Sequence, residues 1–462
     1  MTAELLRQLP GVDRWLASPV GVALVAEYST AEVTAVMRIE LDRLRDELRR
    51  GRSELPDFES EACAAALRAE LMGARMQPLR PVINATGIVI HTNLGRAPLA
   101  DSALAAIELA ARGYSNLEYD LAEGRRGSRG QHVEALLCEL TGAEAALVVN
   151  NCASAVLLSL AGLAAGGEVV VSRGELIEIG GSFRMPDVIA ASGARMVEVG
   201  TTNRTSLGDY REAIGEHTKV LLSSHPSNYR VVGFTHAPQP SALAALAADR
   251  GIPWVHDLGS GAIVNLARTG LQPEPTVQEA VATGAGLVTF SGDKMLGGPQ
   301  AGIVLGRVEL VERLRRHPLA RAARVDKLSL AALIATLQLY RPPHDPWEAI
   351  PVLKMLSATA EDIRDRARPL VSQIAASGSF DAALVQDVGF AGGGATPMSE
   401  LPTTVIELKH GRLSCGALAA ALRDAAVPVI TRINRDRVLI DLRTVLPTQE
   451  AALLEACGQV AA

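Results

Sequence analysis

Ser291-Gly-Asp-Lys294-Met-Leu-Gly297-Gly298-Pro-Gln-Ala-Gly302 is the most informative stretch of this sequence. It follows an apolar run, residues 286–290, that is typical of a buried strand. A lysine directly after a strand end, in a loop of small residues, is placed to form a Schiff base with a bound aldehyde. The glycines let a large planar ring approach the backbone, and the hydroxyl of Ser291 is available to a phosphate. Taken alone, Lys294 is better explained as an ordinary surface lysine.

Similar apolar runs precede this stretch, separated by helical stretches and mostly followed by Gly, Ser, Asn or Asp. They are residues 145–149, 168–171, 195–199, 220–223 and 254–256. This pattern predicts a largely parallel sheet with crossover helices. We expect seven strands with helices on both faces, and a site at the carboxyl ends of the strands.

The sequence predicts three regions. Residues 1–77 are expected to form a helical domain, residues 78–341 the large α/β domain, and residues 342–462 a small α+β domain. The elements predicted in the third region are strands at 403–408, 427–432 and 438–442, and helices at 415–425 and 449–456.

One helix of the first region is well marked. Ser29 and Glu32 predict a capping box, and Gly51 predicts the stop. Apolar residues then recur at helical spacing, at Val33, Val36, Met37, Leu41, Leu44 and Leu48. The opposite face carries arginines interleaved with acidic residues, among them Arg38, Arg45 and Arg49. From the pattern alone this is a solvated face with local ion pairs.

Composition limits the class of protein. Of the 462 residues, 48% are hydrophobic and 21% charged, and the net charge is -6, as expected of a globular protein that is not a basic DNA binder. Any polyanion must meet a local basic surface. Five cysteines without a CxxC pair or a Cys/His cluster argue against a disulfide framework and a structural zinc. We expect no metal, no membrane association and a cytoplasmic location.

Asp257 ends another predicted strand, in Trp254-Val-His-Asp257-Leu-Gly-Ser-Gly261. A carboxylate beside a bound ring can pair with a pyridinium nitrogen and keep it protonated, which makes the ring an electron sink. The alternative for Asp257 is a metal or nucleotide ligand, as in many α/β proteins.

A third motif, Val148-Val-Asn150-Asn151-Cys152-Ala153-Ser154-Ala155, leads from a strand into a helix. The first N–H groups of such a helix can bind an anion. No GxSxG elbow surrounds Ser154, so Cys152 and Ser154 are interpreted as small loop residues rather than nucleophiles. In the chain order Asn151, Asp257, Lys294, the three motifs together predict a fold-type I enzyme that uses pyridoxal phosphate.

Further motifs resemble one family. Ile83-Asn-Ala-Thr-Gly-Ile-Val-Ile-His91-Thr-Asn-Leu-Gly-Arg96-Ala-Pro-Leu99 is similar to the signature opening of the selenocysteine synthases, the L-seryl-tRNA(Sec) selenium transferases. The resemblance covers nearly the whole chain and is also carried by residues 6–13, 171–181, 199–204, 291–302, 321–327, 392–394 and 400–403. Cys152 departs from the family, which usually has asparagine there, and Pro226 stands at a usual threonine.

The resemblance implies roles for individual residues. It implies that Lys294 is the Schiff-base lysine and proton shuttle, and that Asp257 is the pyridinium partner. The phosphate site implied comprises Asn151, Cys152, Ala153 and Ser291. The resemblance also implies that Arg96, Arg321 and Arg324 bind the seryl group and the phosphate of the selenium donor. A planar guanidinium group can donate two hydrogen bonds to the oxygens of a carboxyl or phosphate group. Ion pairing across a subunit interface is the alternative for these arginines.

Other implied roles are weaker. Thr201, Thr202, Asp209 and Tyr229 match positions associated with the site and with contacts between subunits. His91, His225 and His256 are possible general bases, although Lys294 can already move the α-proton. In the family the N-terminal helical region holds tRNA, which favours RNA binding by Arg38, Arg45 and Arg49.

The function implied is conversion of L-seryl-tRNA(Sec) to L-selenocysteinyl-tRNA(Sec) by β-replacement, with selenophosphate as donor and a dehydroalanyl-tRNA intermediate. The resemblance also implies a homo-oligomer, a ring of dimers that is typically a decamer. Two alternatives stay open: a lyase acting on a small phosphorylated or hydroxylated amino acid without tRNA, and a non-catalytic tRNA-binding protein. The N-terminal region argues against the first, and Lys294 with Asp257 argues against the second.

Overall fold

The computed structural model describes residues 2–75, 78–181, 183–393 and 399–461. The chain forms two compact units, Met1–Pro81 and Val82–Ala462. Gln77, at the predicted domain boundary, and Gly394, in a family-like motif, lie outside the described residues. The predicted boundary at residue 342 falls inside the second unit and stays a prediction. Within the described ranges, no helix combines the length and apolar character needed to cross a membrane.

The first unit is helical, as the sequence predicts. Its helices are Thr2–Gln8 (α1), Val12–Leu16 (α2), Pro19–Glu27 (α3), Thr30–Arg49 (α4) and Glu61–Arg75 (α5). The predicted capping box at α4 is confirmed, because Ser29 N donates to Glu32 Oε2 at 2.9 Å and Glu32 N donates to Ser29 Oγ at 3.3 Å. All six predicted apolar residues of α4 are buried. Gly51 has a φ of 109° just after the helix, which a side chain would disfavour.

The second unit contains two main sheets and the helices that cover them. Its strands are Ile83–Asn84 (β1), Ile88–Ile90 (β2), Tyr119–Asp120 (β3), Arg125–Arg126 (β4), Ala145–Val149 (β5), Glu168–Ser172 (β6), Glu178–Ile179 (β7), Phe183–Arg184 (β8), Arg195–Val199 (β9), Thr218–Ser224 (β10), Trp254–Gly259 (β11), Leu287–Ser291 (β12), Gly302–Gly306 (β13), Phe380–Gly392 (β14), Glu400–His410 (β15), Val429–Ile430 (β16), Arg432–Asn434 (β17) and Arg437–Asp441 (β18).

Its α-helices are Asp101–Ala111 (α6), Glu134–Thr141 (α7), Cys152–Ala164 (α8), Met185–Ala191 (α9), Leu207–Ala213 (α10), Pro240–Asp249 (α11), Val277–Ala282 (α12), Val308–Arg315 (α13), Pro318–Ala322 (α14), Lys327–Gln338 (α15), Pro346–Ala349 (α16), Pro351–Ser357 (α17), Ala360–Ala376 (α18), Cys415–Arg423 (α19) and Glu450–Ala461 (α20). Short 3₁₀ turns occupy Thr92–Leu94, Arg129–His132, Arg173–Glu175, Leu266–Thr269 and Pro447–Gln449.

The large sheet has seven strands in the order β5-β13-β12-β11-β10-β6-β9. All neighbours pair in parallel except β13, which is antiparallel to both β12 and β5. The predicted mostly parallel seven-stranded sheet is therefore confirmed.

Helices cover both faces of this sheet. Val170 of β6 packs on the face covered by α7, α11, α12 and α15, whereas Val169 and Val171 pack on the face covered by α8, α9 and α13. Because successive side chains of a strand point to opposite faces, burial on both sides explains why these strands are continuous apolar runs.

The smaller sheet has five strands in the order β17-β18-β15-β14-β2. It shares a core with α18, α19 and α20. The sequence-based prediction missed β14, in which the short apolar run 382–385 is flanked by Asp381 and Gln386 and many residues are exposed or half-exposed. The predicted strand at 427–432 is wrong as a single element. It divides into β16, which pairs with β1, and β17, which pairs with β18.

Candidate active site

Lys294 is buried at the carboxyl edge of the large sheet. It follows β12 and is only 5% exposed. A Cβ atom built on Gly259 would lie 3.9 Å from Lys294 Nζ and 3.5 Å from Ser227 Oγ, so the amine lies against the backbone at the end of β11. Met295 N donates to Ser260 O at 3.1 Å, which ties the lysine loop to the same strand end. The interpretation of Lys294 as a surface lysine is therefore excluded.

Asp257 lies on β11, the strand next to β12, and is also 5% exposed. Its Oδ1 accepts hydrogen bonds from Thr289 Oγ1 at 2.9 Å and from Cys152 Sγ at 3.5 Å. Its Oδ2 accepts from Ser224 Oγ at 3.4 Å. Burial raises the pKa of this carboxyl, while the hydrogen bond from Thr289 and the charge of Lys294 oppose the rise. A cation placed beside Asp257 would be strongly favoured, because it would compensate a desolvated carboxylate.

The start of α8 lies beside Asp257, since Cys152 contacts its carboxylate, and it is a candidate anion site. Asn151 caps the helix, with its Oδ1 accepting from Ser154 N at 2.9 Å. The N–H groups of Cys152 and Ala153 lie in the first turn of α8, where the helix has no carbonyl to accept them, and they remain available to a ligand. Gly302 of β13 packs so closely that a Cβ atom there would overlap Asn151 O and Cys152 N. Burial raises the pKa of the Cys152 thiol well above its usual range, which keeps it protonated and unreactive.

Strand register brings Ser291 to the same edge. Ser291 pairs with Gly302, and Gly302 pairs with Val149, directly before the helix cap. The edge therefore presents a buried amine, a buried carboxylate and a helix N-terminus in one row. These groups match the aldehyde, the ring nitrogen and the phosphate of pyridoxal phosphate, so the residues present fit that cofactor.

Arg96 reaches the residue next to the lysine. Its Nη1 forms an ion pair with Asp293 Oδ2 at 2.8 Å. Asp293 is 7% exposed, and its Oδ1 has no hydrogen-bond partner among the described residues. Arg96 also has a φ of 62°, a left-handed conformation that few non-glycine residues adopt. This strain at a charged residue beside Lys294 is typical of a functional position.

Arg321 and Arg324 lie on the segment that runs past the end of β5. Arg324 forms an isolated bridge with Val149, and Asn150 N donates to Ala323 O at 2.7 Å. The two arginines line a cavity of about 270 Å³, together with Arg126, Arg129 and Arg315. Glu118 pairs there with Arg129 at 2.9 Å and with Arg324 at 3.2 Å. Arg315 pairs with Glu134 and Glu312, and Arg321 has no ion-pair partner among the described residues, so the cavity keeps an excess of positive charge.

Thr201, Thr202 and Tyr229 line a different cavity, of about 230 Å³, together with Glu175. Asp209 is not part of it. Its carboxylate accepts from Ser206 N at 2.6 Å and from Ser206 Oγ at 2.9 Å, and it caps α10.

The three histidines differ in setting. His256 Nδ1 is 2.8 Å from Ser223 Oγ, and burial lowers the pKa of His256 to about 4. His225 Nε2 is 3.2 Å from Glu274 Oε2. Burial also lowers the pKa of His91, whose Nδ1 has no hydrogen-bond partner in the described part of the chain.

From the sequence, no role is assigned to two carboxyl groups near the site, those of Asp293 and Glu175. Asp293 stands next to Lys294, and that position was its only signal. Glu175 lies within the family-like stretch 171–181 but was given no role. Its Oε2 accepts from Ser224 N at 3.1 Å, and the Ser224 hydroxyl donates to Asp257.

In the N-terminal unit, the arginine face of α4 carries the local ion pairs that the pattern predicts. Arg45 pairs with Asp42, and Arg49 pairs with Asp46 at 2.8 Å. Both arginine side chains remain exposed, and Arg38 has no ion-pair partner among the residues described.

Known proteins resemble the chain over its full length. The family described as L-seryl-tRNA selenium transferase matches residues 82–446, and the family described as selenocysteine synthase N terminal matches residues 6–45. A curated L-seryl-tRNA(Sec) selenium transferase of Hyphomonas neptunium is 51% identical over 459 residues, which cover 99% of each chain. The enzyme of that name from Geobacter sulfurreducens is 49% identical, with the same coverage.

Among solved structures, one described as D-glucosaminate-6-phosphate ammonia-lyase aligns with a TM-score of 0.58 at 20% identity. The alignment covers 85% of this chain and 98% of that one. At this identity the likeness shows the fold alone, which is the fold-type I architecture that the sequence predicts.

Proposed function

The chain belongs to the L-seryl-tRNA selenium transferase family, and we propose that its Lys294 site converts L-seryl-tRNA(Sec) into L-selenocysteinyl-tRNA(Sec) with selenophosphate as donor. Selenium transfer to L-seryl-tRNA(Sec), with pyridoxal phosphate as cofactor, is the activity of this enzyme. The observation that carries the assignment is the 51% identity over 99% of both chains, which includes the N-terminal unit. This outweighs the alternative of a lyase for small amino acids.

Each group at the sheet edge has a task in that reaction. Lys294 Nζ would hold the cofactor aldehyde, and it is the base placed to remove the proton from the seryl α-carbon. Asp257 holds the ring nitrogen in its protonated form. The N–H groups of Cys152 and Ala153, the cap Asn151 and the hydroxyl of Ser291 hold the phosphate. When bound, pyridoxal phosphate supplies a ring that accepts the electron pair left at the α-carbon.

The arginines bind oxygen atoms of the two substrates. Arg96, which pairs with Asp293, assists departure of the β-hydroxyl by donating hydrogen bonds to it. Arg321 and Arg324 bind the phosphate of the selenium donor, because guanidinium forks match phosphate oxygens bidentately. The excess positive charge of the 270 Å³ cavity supports this role. Lys294 then returns a proton to the α-carbon after selenium has bonded to the β-carbon.

The N-terminal helical region, residues 1–77, is the proposed tRNA-binding domain, with residues 78–341 catalytic and residues 342–462 a small C-terminal domain. Arg38, Arg45 and Arg49 lie on one helix with solvent-accessible side chains, and the local ion pairs of Arg45 and Arg49 are weak enough to exchange for RNA phosphates. The proposed location is the cytoplasm, in keeping with five free cysteines.

We also propose a homo-oligomer, a ring of dimers that is a decamer in its full form. Large apolar side chains support it, since Leu109, Leu121 and Phe234 are 80%, 74% and 94% exposed. Monomers seldom expose extensive apolar patches. Thr201, Thr202, Asp209 and Tyr229 are the proposed positions of contact with the site or a partner subunit.

The test is a single-turnover assay with pyridoxal phosphate, seryl-tRNA(Sec) and selenophosphate, run in parallel with free L-serine. We expect selenocysteinyl-tRNA from the charged tRNA alone, and none from Lys294→Ala. Turnover of free amino acids without any response to seryl-tRNA would favour the small-molecule lyase instead.

A further inference from the structure

Glu175 is a partly buried carboxyl group that the proposed reaction does not use. It ends the 3₁₀ turn Arg173–Glu175, directly after β6. Its Oε2 accepts a hydrogen bond from Ser224 N at 3.1 Å, and it lines the 230 Å³ cavity beside Thr201 and Tyr229.

Ser224 connects this carboxyl to the cofactor site. It ends β10 and lies opposite Asp257 in the parallel register. Its backbone N–H donates to Glu175, and its hydroxyl donates to Asp257 Oδ2 at 3.4 Å. Glu175, Ser224 and Asp257 therefore form one hydrogen-bonded chain across the ends of neighbouring strands.

The charge of Glu175 affects whether the hydrogen-bonded chain can support an anionic Asp257. Asp257 must be negative to pair with a protonated ring nitrogen, so the group that positions Ser224 beside it should not add a negative charge there. Burial raises the pKa of Glu175 to about 8, against the hydrogen bond from Ser224, so its carboxyl is uncharged near neutral pH.

Other ionisable groups face Glu175 as well. Tyr210 and Tyr229 are phenols whose pKa values are raised by burial and by the nearby Glu175. Arg204, Arg230 and His236 line the same cavity. Their titration has to be separated from that of Glu175 by mutation.

We propose that Glu175 is a positioning residue of the cofactor site, whose carboxyl accepts the Ser224 N–H and thereby keeps Asp257 in place as the anionic partner of the ring. The inference rests on the proposed function only through the cofactor. It does not depend on tRNA or selenium transfer.

The experiment measures the dissociation constant of pyridoxal phosphate on the full-length protein from pH 6 to 9.5, by absorbance, without tRNA. The wild type should lose about tenfold in affinity around pH 8, the scale of one like charge near Asp257. Glu175→Gln keeps an uncharged acceptor for Ser224 N. It should retain the affinity of the wild type at pH 7 and lack the step near pH 8.

Two further variants make the result decisive. Glu178→Gln removes an exposed carboxylate three residues away and should titrate like the wild type. Ser224→Ala removes only the hydroxyl link and should shrink the step at least twofold, which provides a second test if Glu175→Gln fails to fold. An unchanged step in Glu175→Gln or in Ser224→Ala would overturn the inference, and so would a tenfold loss for Glu175→Gln at pH 7. A wild type that binds cofactor but transfers no selenium would instead refute the proposed function alone.

Discussion

Replacing Gly302 by alanine tests whether the start of α8 binds the cofactor phosphate. A Cβ atom at this position would overlap three backbone atoms, Asn151 O, Asn151 C and Cys152 N. Gly302 begins β13, which lies between β12 and β5. Since its neighbours are backbone on both sides, the strain cannot be relieved by turning a flexible side chain.

The size of the effect follows from this geometry. Overpacking of a close backbone contact costs about 1–3 kcal/mol, and relief requires the first turn of α8 to move away from β13. The N–H groups of Cys152 and Ala153 move with it. Loss of one charge-assisted hydrogen bond to phosphate, at about 1.5–3 kcal/mol, weakens binding roughly 10- to 100-fold.

The assay compares pyridoxal phosphate with pyridoxal, which lacks the phosphate, in equilibrium binding to the wild type and to Gly302→Ala. We expect the variant to lose affinity for pyridoxal phosphate and to bind pyridoxal as the wild type does. Gly215→Ala is the matched control, because nothing lies within 4 Å of its added methyl group. Equal weakening of both ligands, or no weakening of either, would refute the reasoning.

Three further predictions follow from the same residues. Asp257→Asn should fold, since the amide can still meet its hydroxyl and thiol neighbours, but selenium transfer should fall on the order of 10²–10³-fold, as when a preorganised charge is removed; an unchanged single-turnover rate would contradict the assignment. Arg96→Lys keeps the positive charge but loses the planar guanidinium group, so the rate of selenium transfer should fall about tenfold, and Arg96→Ala should reduce it further. Equal rates for both variants and the wild type would show that Arg96 only pairs with Asp293. Because burial raises the pKa of Glu175 from 4.5 to about 8, the wild type should lose stability as pH rises through that interval, at up to about 1.4 kcal/mol per pH unit. Glu175→Gln should remove this loss in urea unfolding at pH 5 and pH 8, and parallel curves for the two proteins would exclude it.

Much of the fold follows from local pattern. The apolar runs at β5, β6 and β11 were placed correctly, because strands covered on both faces are apolar throughout. The strand β9 was also placed, although it lies at the sheet edge and contains Arg195 and Glu198. The pattern was insufficient for β14, which lies in the smaller sheet with part of its surface exposed, so that its short apolar run 382–385 is bounded on both sides by charged or polar residues. It also could not divide residues 427–432, since pairing with β1 and β18 is a choice made by distant segments.

The sequence by itself determined the family resemblance, the fold class and the strand-end positions of Lys294, Asp257 and Asn151. Chain order and strand ends suffice for those, because parallel strands deliver their carboxyl ends to one edge. Only the tertiary structure decided that Lys294 is buried, that Arg96 pairs with Asp293, and that Glu175 reaches Asp257 through Ser224. Glu175 and Ser224 are separated by 49 residues, and the burial that changes the charge of a carboxyl arises only when those segments pack together.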